Sequence, residues 1–559
     1  MTLKLVYRIL RKLSDWIVDG FYSEVYVEGA ENVSKDGPLI IAATHHNEII
    51  DVAALAVTIP YRRHVCFWAK STIFSNPVFG SILASSGAIP VTRNPNRDDG
   101  SSKAVLFQST TAAIAKGEVV GVFSEGASYT EPTIVQIMSG TAWAAVEYTR
   151  WCREHAKDRP DLVIVPVGLV YTEKATFKSR MRVHYGSPIS MADYSHELFD
   201  IPPGADPKDV GYAVVHKISS RIEKELFDIT INASDWETLF AAQTARAILW
   251  GDDENVDLKN WTVVSQMLVD FLSCHPTAEP PPEPIRLAKV SLVQYFSLLH
   301  YTGLTHATLE NVISSTSYIP SLLPSLKTVL LFPIAIPAIL LHVPACIMAE
   351  LSLKLFANVD ECEGFAQYRS VGGGIGVGIG VTAVYRWASH FLRDRDFGVP
   401  AFEWTKHVVT RRAKVGKVLS FLAFSWVMIK WYGLFSGGVH RRVKTLLATV
   451  RVVLGILLPP FSSLKTDMYK KLPPPPPSNA FIRKRKDAGG ISAQFWDKKE
   501  KEADQSQLPP VAPRKLIRIL LEQRKETMGQ LRRAFTESES IAGYGEKVAR
   551  LREMGAKIN

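Results

Sequence analysis

The sequence predicts an α/β domain, with a mixed, largely parallel sheet flanked by helices, followed by a helical membrane-embedded region. Two observations support this fold class. Between residues 24 and 190, short apolar runs typical of buried strands alternate with stretches of helical spacing, and long apolar runs follow residue 325. The predicted strands are 39–43, 65–68, 89–91, 119–123, 162–167 and 181–185, and the predicted helices include 52–57, 102–115 and 140–153.

Composition divides the chain into six predicted segments. They are 1–23, an amphipathic membrane-interface helix; 24–250, the α/β domain, closed by two helices within 205–250; 251–325, a helical connector; 326–462, membrane-spanning or re-entrant helices; 463–512, a proline-rich basic linker; and 513–559, a charged C-terminal helical tail. No cleavable signal peptide is expected, because charged residues interrupt the first apolar stretch.

The net charge of +10 indicates an anionic partner. A nucleic acid is not expected, since aromatic residues do not alternate with the basic ones and no zinc-finger or RNA-recognition motif occurs. The long apolar runs favour a lipid bilayer instead. The 5 cysteines are scattered without a C-x-x-C pair, which predicts a reducing compartment and no disulfide framework.

The membrane region is predicted to contain two to four segments. Residues 329–349, 418–434 and 443–461 are apolar, while 371–385 is rich in glycine, which favours close helix packing over a nucleotide site. The first helix either lies in the bilayer interface or packs on its own domain. The positive-inside rule predicts that the basic loop 386–417 is cytosolic and that the acid-rich segment 350–363 is lumenal.

The strongest candidate for catalysis is the pair His46 and Asp51. The strand 39–43 leads directly to His46, and Asp51 falls in the first turn of the next predicted helix. A carboxylate that holds one imidazole nitrogen leaves the other nitrogen free as a base. A chance pairing and a metal site at His45 and His46 are the alternatives, although no third ligand stands at suitable spacing. His45 is expected to pack or to cap the turn.

Three further blocks lie in the same domain. Arg93 ends a strand in the block Gly87-Ala-Ile-Pro-Val-Thr-Arg93, where a guanidinium suits a phosphate or carboxylate. Glu125 and Gly126 follow a buried strand, and the glycine permits close approach of a ligand to the backbone. The last block is Val165-Pro-Val167. An ordinary salt bridge, a simple turn and a core strand are the respective alternatives.

In this order and spacing, the four blocks resemble the glycerolipid (PlsC-like) acyltransferase family, especially the fungal-type glycerol-3-phosphate and dihydroxyacetone-phosphate acyltransferases. The similarity covers roughly residues 25–250. Two departures stand out: Ser124 replaces the family's usual proline, and no basic residue follows Glu125-Gly126. The phosphate-binding role is therefore expected to fall on Arg93, helped by Lys178, Arg180 or Arg182.

The resemblance implies a glycerolipid acyltransferase fold and transfer of a fatty acyl group from acyl-CoA to the sn-1 hydroxyl of glycerol-3-phosphate or dihydroxyacetone phosphate. It makes 24–250 the catalytic domain, with His46 as the base and Asp51 as its orienter, and Arg93, Glu125, Gly126 and Ser128 as substrate-binding residues. Backbone N–H groups after His46 are expected to stabilise the oxyanion. No metal and no bound cofactor are expected, since acyl-CoA is a co-substrate.

Two other functions fit parts of the pattern. A lysophosphatidate or other lysophospholipid acyltransferase would use the same blocks, because its acceptor also carries a glycerol phosphate unit. A non-catalytic membrane scaffold or transporter would explain the proline- and glycine-rich apolar helices but not the four blocks. For the acyltransferase, the resemblance implies a multi-pass protein of the endoplasmic reticulum membrane with its catalytic domain facing the cytosol. The sequence carries no signal of oligomeric state.

Overall fold

The structure is a computed structural model that describes most of the chain. The described residues are 3–92, 100–201, 203–204, 206–273, 281–314, 326–358, 362–393, 414–457, 466–476, 482, 511–541 and 543–558. Everything below refers to these residues.

The described strands form one sheet of eight strands in the order β1-β7-β6-β2-β5-β3-β4, with β8 paired to β6. The strands are β1 (Glu24–Glu28), β2 (Leu39–Ala43), β3 (Val65–Lys70), β4 (Ile89–Val91), β5 (Val119–Phe123), β6 (Val163–Tyr171), β7 (Arg180–Tyr185) and β8 (Ile189–Ser190). Only the pairs β6–β7 and β6–β8 are antiparallel. The predicted mixed, largely parallel sheet is confirmed, and β1 and β8 are the two strands that the sequence missed.

Helices cover both faces of the sheet and form the rest of the described fold. They are α1 (Leu3–Phe21), α2 (Ile49–Thr58), α3 (Ser71–Phe74), α4 (Pro77–Ser86), α5 (Gly100–Ala115), α6 (Gly140–His155), α7 (Ala192–Phe199), α8 (Pro207–Ile229), α9 (Trp236–Trp250), α10 (Leu258–Leu272), α11 (Glu283–Thr302), α12 (His306–Ser314), α13 (Leu326–Phe356), α14 (Phe365–Arg393), α15 (Lys414–Leu457), α16 (Ile517–Ser538) and α17 (Gly545–Glu553).

The central strand β2 is buried along its whole length. Successive side chains of a strand point to opposite faces, so Ile40 and Ala42 enter the core formed with α6 and α8. Leu39, Ile41 and Ala43 enter the opposite core, formed with α1 and α2. This burial on both sides explains the unbroken apolar run of β2, which is typical of parallel sheets.

Helix α1 divides its apolar residues between two faces. Val18 and Phe21 are buried in the core of the α/β domain. Leu5, Ile9, Leu13 and Trp16 recur at helical spacing and remain 44–63% exposed. One face thus packs on the domain, while the other offers an apolar stripe of the kind that enters a bilayer interface.

The last two helices, α16 and α17, pack on α10 and α11. Phe535 of α16 stacks on Phe271 of α10, with ring centroids 4.8 Å apart. The hydroxyls of Ser291 and Thr527 lie 2.8 Å apart in the buried contact between α11 and α16. Residues more than two hundred positions apart in the chain therefore share one apolar core.

Helices α13 and α14 form an antiparallel pair in which glycine allows very close contact. A Cβ atom added at Gly372 would lie 2.5 Å from the carbonyl oxygen of Met348, and one at Gly376 would lie 2.3 Å from that of Pro344. Gly380 continues this stripe against Leu341. The glycines are thus a packing surface, as the sequence predicted, because only a residue without a side chain lets the two backbones approach this far.

The two apolar runs 418–434 and 443–461 were predicted as separate membrane segments, and this is wrong for the described residues. The first run and the described part of the second, 443–457, belong to the single helix α15. Its first half packs on α13 and α14 through Met428, whereas Ala448 and Val452 lie in a core with α11, α12 and α16. Among the described helices, Pro333–Phe356 and Lys417–Leu457 are long and apolar enough to cross a membrane.

Residues 362–369, which comprise the short segment before α14 and the first residues of that helix, are here called the hairpin tip. Ala366 is buried in the core of the α/β domain, and Arg369 donates a 2.9 Å hydrogen bond to the carbonyl of Ala175. The predicted lumenal position of 350–363 is therefore incompatible with a cytosolic α/β domain. The positive-inside rule counts the charges of a segment, and such a count contains no information about tertiary contacts with the α/β domain.

Substitution of Gly376 by Ala should weaken the packing of α13 on α14. The new methyl group would overlap the backbone of α13, and overpacking of this kind costs about 1–3 kcal/mol. We expect the melting temperature of the detergent-solubilised protein to fall by about 3 °C or more. Gly374→Ala is the matched control, since nothing lies within 4 Å of a Cβ atom there. Equal melting temperatures for the two variants would contradict the proposed packing.

Candidate active site

The residues of the candidate site lie where the central strands end. The chain leaves β2 at Ala43, β5 at Phe123 and β6 at Tyr171, and β2 lies between the other two strands. Ligands of open α/β sheets bind beyond the carboxyl ends of their strands. The loops that carry His45, Glu125 and Lys174 follow these ends, so the three strands bring them to one edge.

Asp51 holds the imidazole of His45. The Nδ1 atom of His45 lies 2.8 Å from the Oδ2 atom of Asp51. The carboxylate is fully buried, whereas the His45 side chain is 13% exposed. The ring also stacks on Phe123, with centroids 4.0 Å apart and planes 14° from parallel. One nitrogen of the imidazole is therefore held by a carboxylate, and the ring plane is fixed by an aromatic neighbour.

The predicted pairing of His46 with Asp51 is wrong. Only the backbone N–H of His46 reaches Asp51, at 2.8 Å from Oδ2. Its imidazole instead hydrogen-bonds the backbone of Tyr129, and burial lowers the pKa of His46 to about 4. Adjacent side chains diverge, so the carboxylate reaches the ring of one histidine and the backbone of the other. His45, which was expected to pack or cap the turn, is the histidine in the pair.

The turn between the histidines and α2 explains this arrangement. Glu48 has a backbone φ of 43°, a left-handed conformation that a residue with a side chain adopts at a cost of about 1–3 kcal/mol. The turn folds back so that the N–H groups of His46 and Asn47 both donate to Asp51 Oδ2, the second at 2.7 Å. These two N–H groups are therefore engaged, so neither of them is available to an oxyanion.

Asp51 remains a carboxylate despite its burial. Burial by itself raises its pKa, but the hydrogen bonds from His45 and from the Tyr171 hydroxyl outweigh this effect and hold the pKa below the usual value. The Tyr171 hydroxyl donates to Oδ1 at 2.5 Å. Since an ionised Asp51 accepts from Nδ1, the proton of neutral His45 resides there and Nε2 keeps its lone pair.

Glu125 lies beside the pair. Its Oε1 atom accepts a 2.6 Å hydrogen bond from the backbone N–H of His45. Its Oε2 atom is buried and has no hydrogen-bond partner among the described residues. Burial raises the pKa of Glu125 to about 8, although the neighbouring Tyr129 hydroxyl and the His45 amide lower it. The side chain is thus a neutral acid at pH 7 that also supports the loop of His45.

Gly126 and Ser128, the other predicted residues of this loop, differ in how closely neighbouring side chains surround them. Gly126 has φ 78°, and a Cβ atom there would lie 3.0 Å from Met138, so glycine suits both the turn and the space. Ser128 is half-buried two residues further on. Ser124, which replaces the family's proline, places its hydroxyl 3.2 Å from that of Thr141. The departure from the motif thus ties β5 to the start of α6.

The predicted phosphate-binding cations are only partly described. Arg93 lies outside the described residues. Arg180 and Arg182 are buried, and they were wrongly expected to help: Arg180 donates to the carbonyl of Val256 and Arg182 to Glu28 and Thr262. These bonds attach β7 to β1, to α10 and to the segment just before α10. Lys178 was likewise wrongly expected to help, since it lies over the ring of Phe177 and the carboxylate that acts on its charge is Asp19 of α1.

The sequence missed Tyr171 and Lys174. Lys174 follows the end of β6 by three residues, and its ammonium group lies 3.3 Å from the carbonyl oxygen of His46. The rule that selected Arg93 and Glu125, polar residues just after a strand, also applies to these two positions. Glu363 and Gln367 of the hairpin tip also reach the site, and no local pattern indicates them.

No group of three or more His, Cys, Asp or Glu side chains in the described part is placed to hold a metal ion.

Comparison with known proteins gives one family and several relatives. Residues 24–170 match the family model described as Acyltransferase. Glycerol-3-phosphate O-acyltransferase 2 of Saccharomyces cerevisiae is 31% identical over 142 residues, which cover 25% of this chain and 17% of that protein. Glycerol-3-phosphate O-acyltransferase 1 of the same yeast is 24% identical over 238 residues, covering 42% and 30%. The match thus spans less than a third of either yeast protein.

A solved structure is also similar in part. It is the 1-acyl-sn-glycerophosphate (LPA) acyltransferase PlsC from Thermotoga maritima, with 16% identity, a TM-score of 0.27, and coverage of 40% of this chain and 78% of that one. A TM-score of this size supports no argument about this chain.

Glu125→Gln should change how stability depends on pH. In the unfolded chain this carboxyl group loses its proton above about pH 4.5, whereas in the fold it keeps the proton to about pH 8. The wild-type free energy of unfolding therefore falls as pH rises between these values. We expect the variant's melting temperature to exceed the wild-type one by at least about 3 °C more at pH 8 than at pH 5. Glu154→Gln, at an exposed glutamate, serves as control. Parallel pH curves for wild type and E125Q would refute a buried neutral acid.

Proposed function

We propose that this protein, whose residues 24–170 match the acyltransferase family model, moves a fatty acyl group from acyl-CoA to the sn-1 hydroxyl of glycerol-3-phosphate or dihydroxyacetone phosphate. The observation that carries the proposal is the pair of His45 and the buried carboxylate of Asp51. The pair lies at the sheet edge where a substrate is expected, and its free nitrogen belongs to the more exposed partner.

His45 acts as the general base. Its Nε2 atom removes the proton of the acceptor hydroxyl as the hydroxyl oxygen attacks the carbonyl carbon of the thioester. The imidazolium that forms is stabilised by Asp51, whose hydrogen bonds from the backbone of His46 and Asn47 keep it in position. Phe123 limits rotation of the ring. The acceptor oxygen therefore meets a base of fixed tautomer and direction.

The second half of the reaction returns the proton. The tetrahedral intermediate collapses, the carbon–sulfur bond breaks, and His45 gives its proton to the departing thiolate of coenzyme A. No covalent acyl-enzyme is needed, because a thioester is already activated and its thiolate is a good leaving group. A neutral Glu125 next to His45 maintains the loop and adds no second negative charge beside the reacting hydroxyl.

The acceptor is inferred from the two yeast relatives, whose names specify glycerol-3-phosphate O-acyltransferase activity. The family match over residues 24–170 includes the His45–Asp51 turn and the Glu125 loop. A phosphate-bearing acceptor also needs a cation near the base, and Lys174 lies beside the backbone of His46. A small, water-soluble glycerol phosphate is therefore the proposed substrate.

The proposal includes a bilayer as the working environment. The exposed stripe of α1 and the helices Pro333–Phe356 and Lys417–Leu457 are apolar surfaces on one molecule. We propose the endoplasmic reticulum membrane, with the catalytic domain and the hairpin tip both on the cytosolic face, where acyl-CoA and glycerol-3-phosphate are available. A product with one acyl chain would then form next to the bilayer that receives it.

His45→Ala should remove most of the turnover, because it deletes the base. General-base catalysis contributes about 10²–10⁴-fold, so we expect kcat in purified membranes to fall by at least about 100-fold. His46→Ala is the matched control at the adjacent position, and its kcat should stay within about tenfold of wild type. Far-UV circular dichroism of both purified variants checks the fold. A larger loss in H46A than in H45A would overturn the assignment of the base.

An acceptor panel tests the substrate. Membranes containing the protein are supplied with labelled acyl-CoA and, separately, glycerol-3-phosphate, dihydroxyacetone phosphate or lysophosphatidate, and the labelled products are separated by thin-layer chromatography. We expect transfer to glycerol-3-phosphate or dihydroxyacetone phosphate that is lost in H45A. Transfer to lysophosphatidate alone would replace the proposed acceptor, and no transfer to any of the three would overturn the proposed function.

A further inference from the structure

We propose that Lys174 binds the phosphate of the acceptor, and that Glu363 of the hairpin tip occupies its ammonium group until the acceptor arrives. This inference rests on the proposed function, since it concerns the phosphate end of the same acceptor. It assigns a specificity-determining role to a residue outside the four sequence blocks.

Lys174 lies at the same edge of the sheet as His45 and contacts the turn that carries the base. The residue follows β6, which pairs in parallel with β2, so the chain after each strand emerges at the same edge of the sheet. Its ammonium group is 3.3 Å from the carbonyl oxygen of His46, the residue next to the base. An acceptor that carries both a hydroxyl and a phosphate needs a base and a cation on one side of the fold, and His45 and Lys174 meet this requirement.

The groups around the ammonium are those that bind a phosphate. Lys174 donates to the hydroxyl of Thr130, and the two side chains thus present a cation and a hydroxyl together. The side chain of Lys174 is 21% exposed, so it is shielded from bulk solvent but reachable. Burial lowers the pKa of Lys174, while the neighbouring carboxylates of Glu363 and Asp51 act in the opposite direction.

Glu363 supplies a negative charge at this point. Its Oε1 atom lies 4.0 Å from the Lys174 ammonium and accepts a hydrogen bond from Thr130. One carboxylate therefore uses the same cation and the same hydroxyl that a phosphate would use. A distance of 4.0 Å marks a loose ion pair, which a dianionic phosphate can displace by charge alone.

The basic residues that follow Lys174 have other partners. Arg180 is buried and donates to the carbonyl of Val256, just before α10, and Arg182 is buried and donates to Glu28 of β1. Lys178 lies over Phe177, and its backbone N–H donates to the carbonyl of Phe21. Of the described basic residues of this loop, Lys174 is thus the one that contacts the turn of residues 45–51, here called the catalytic turn. Replacing Lys178 by Met removes the same charge from the same loop and serves as the control.

The position of Glu363 connects the site to the apolar helices. The hairpin tip joins α13 to α14, and Gln367 of the tip hydrogen-bonds Glu48, which lies between His46 and Asp51. Release of Glu363 by the acceptor would leave the Gln367–Glu48 bond in place and loosen the second contact of the hairpin tip with the site, the one at Lys174 and Thr130.

The test separates acceptor binding from chemistry. Lys174→Met should raise the KM for glycerol-3-phosphate about tenfold or more, while kcat and the KM for acyl-CoA stay within about threefold. The inhibition constant of inorganic phosphate should rise in parallel. Lys174→Arg should restore part of the affinity, and Lys178→Met should leave all constants near wild type. Glu363→Gln should lower the KM for glycerol-3-phosphate, since it removes the competing charge.

The possible failures are distinct. If the wild-type protein transfers no acyl group to glycerol-3-phosphate, the proposed function fails first. If the wild type is active and Lys174→Met leaves both the KM for glycerol-3-phosphate and inhibition by phosphate unchanged, only the role of Lys174 is refuted. Should Lys174→Met not fold, Glu363→Gln decides: a lower KM for glycerol-3-phosphate supports the proposal, and an unchanged or higher one refutes it.

Discussion

The buried carboxylate of Asp51 is the interaction on which the site depends. Its two oxygens accept hydrogen bonds from the His45 ring, the backbone of His46 and Asn47, and the Tyr171 hydroxyl. A buried charge is costly unless such donors surround it. Because the donors come from the turn after β2 and from the end of β6, the same four bonds that stabilise the charge also fix the base and join the two strands at the reacting edge.

The hairpin tip adds a second constraint. Helices α13 and α14 have an apolar exterior and pack on each other through glycines. At the hairpin tip, Glu363 pairs with Lys174, and Gln367 donates a hydrogen bond to Glu48 in the turn before α2. The stripe of exposed apolar residues on α1 belongs to the same α/β domain. The surfaces suited to a bilayer and the residues suited to acyl transfer are thus joined by direct contacts, as the proposed function requires.

Local patterns predicted the sheet well because burial on both faces leaves a strong signal. The runs at β2, β4 and β5 have the observed bounds, since each is a short apolar segment between polar turns. Strand β1 was missed because Glu24 and Glu28 at its ends lack that signal. The two apolar runs in α15 were read as two membrane segments, because hydropathy does not distinguish a lipid-facing side from one that packs on α11, α12 and α16.

The sequence by itself determined the residue types and their order: two histidines shortly before an aspartate after a central strand, a Glu-Gly turn and, later in the chain, long apolar runs. Only the tertiary structure decided which histidine meets Asp51, because His45 and His46 differ by one position and a backward-folded turn, not spacing, sets the direction of each ring. It likewise decided the partners of Lys174 and Glu363. These residues are 189 positions apart, and no local pattern records a contact made by packing across the fold.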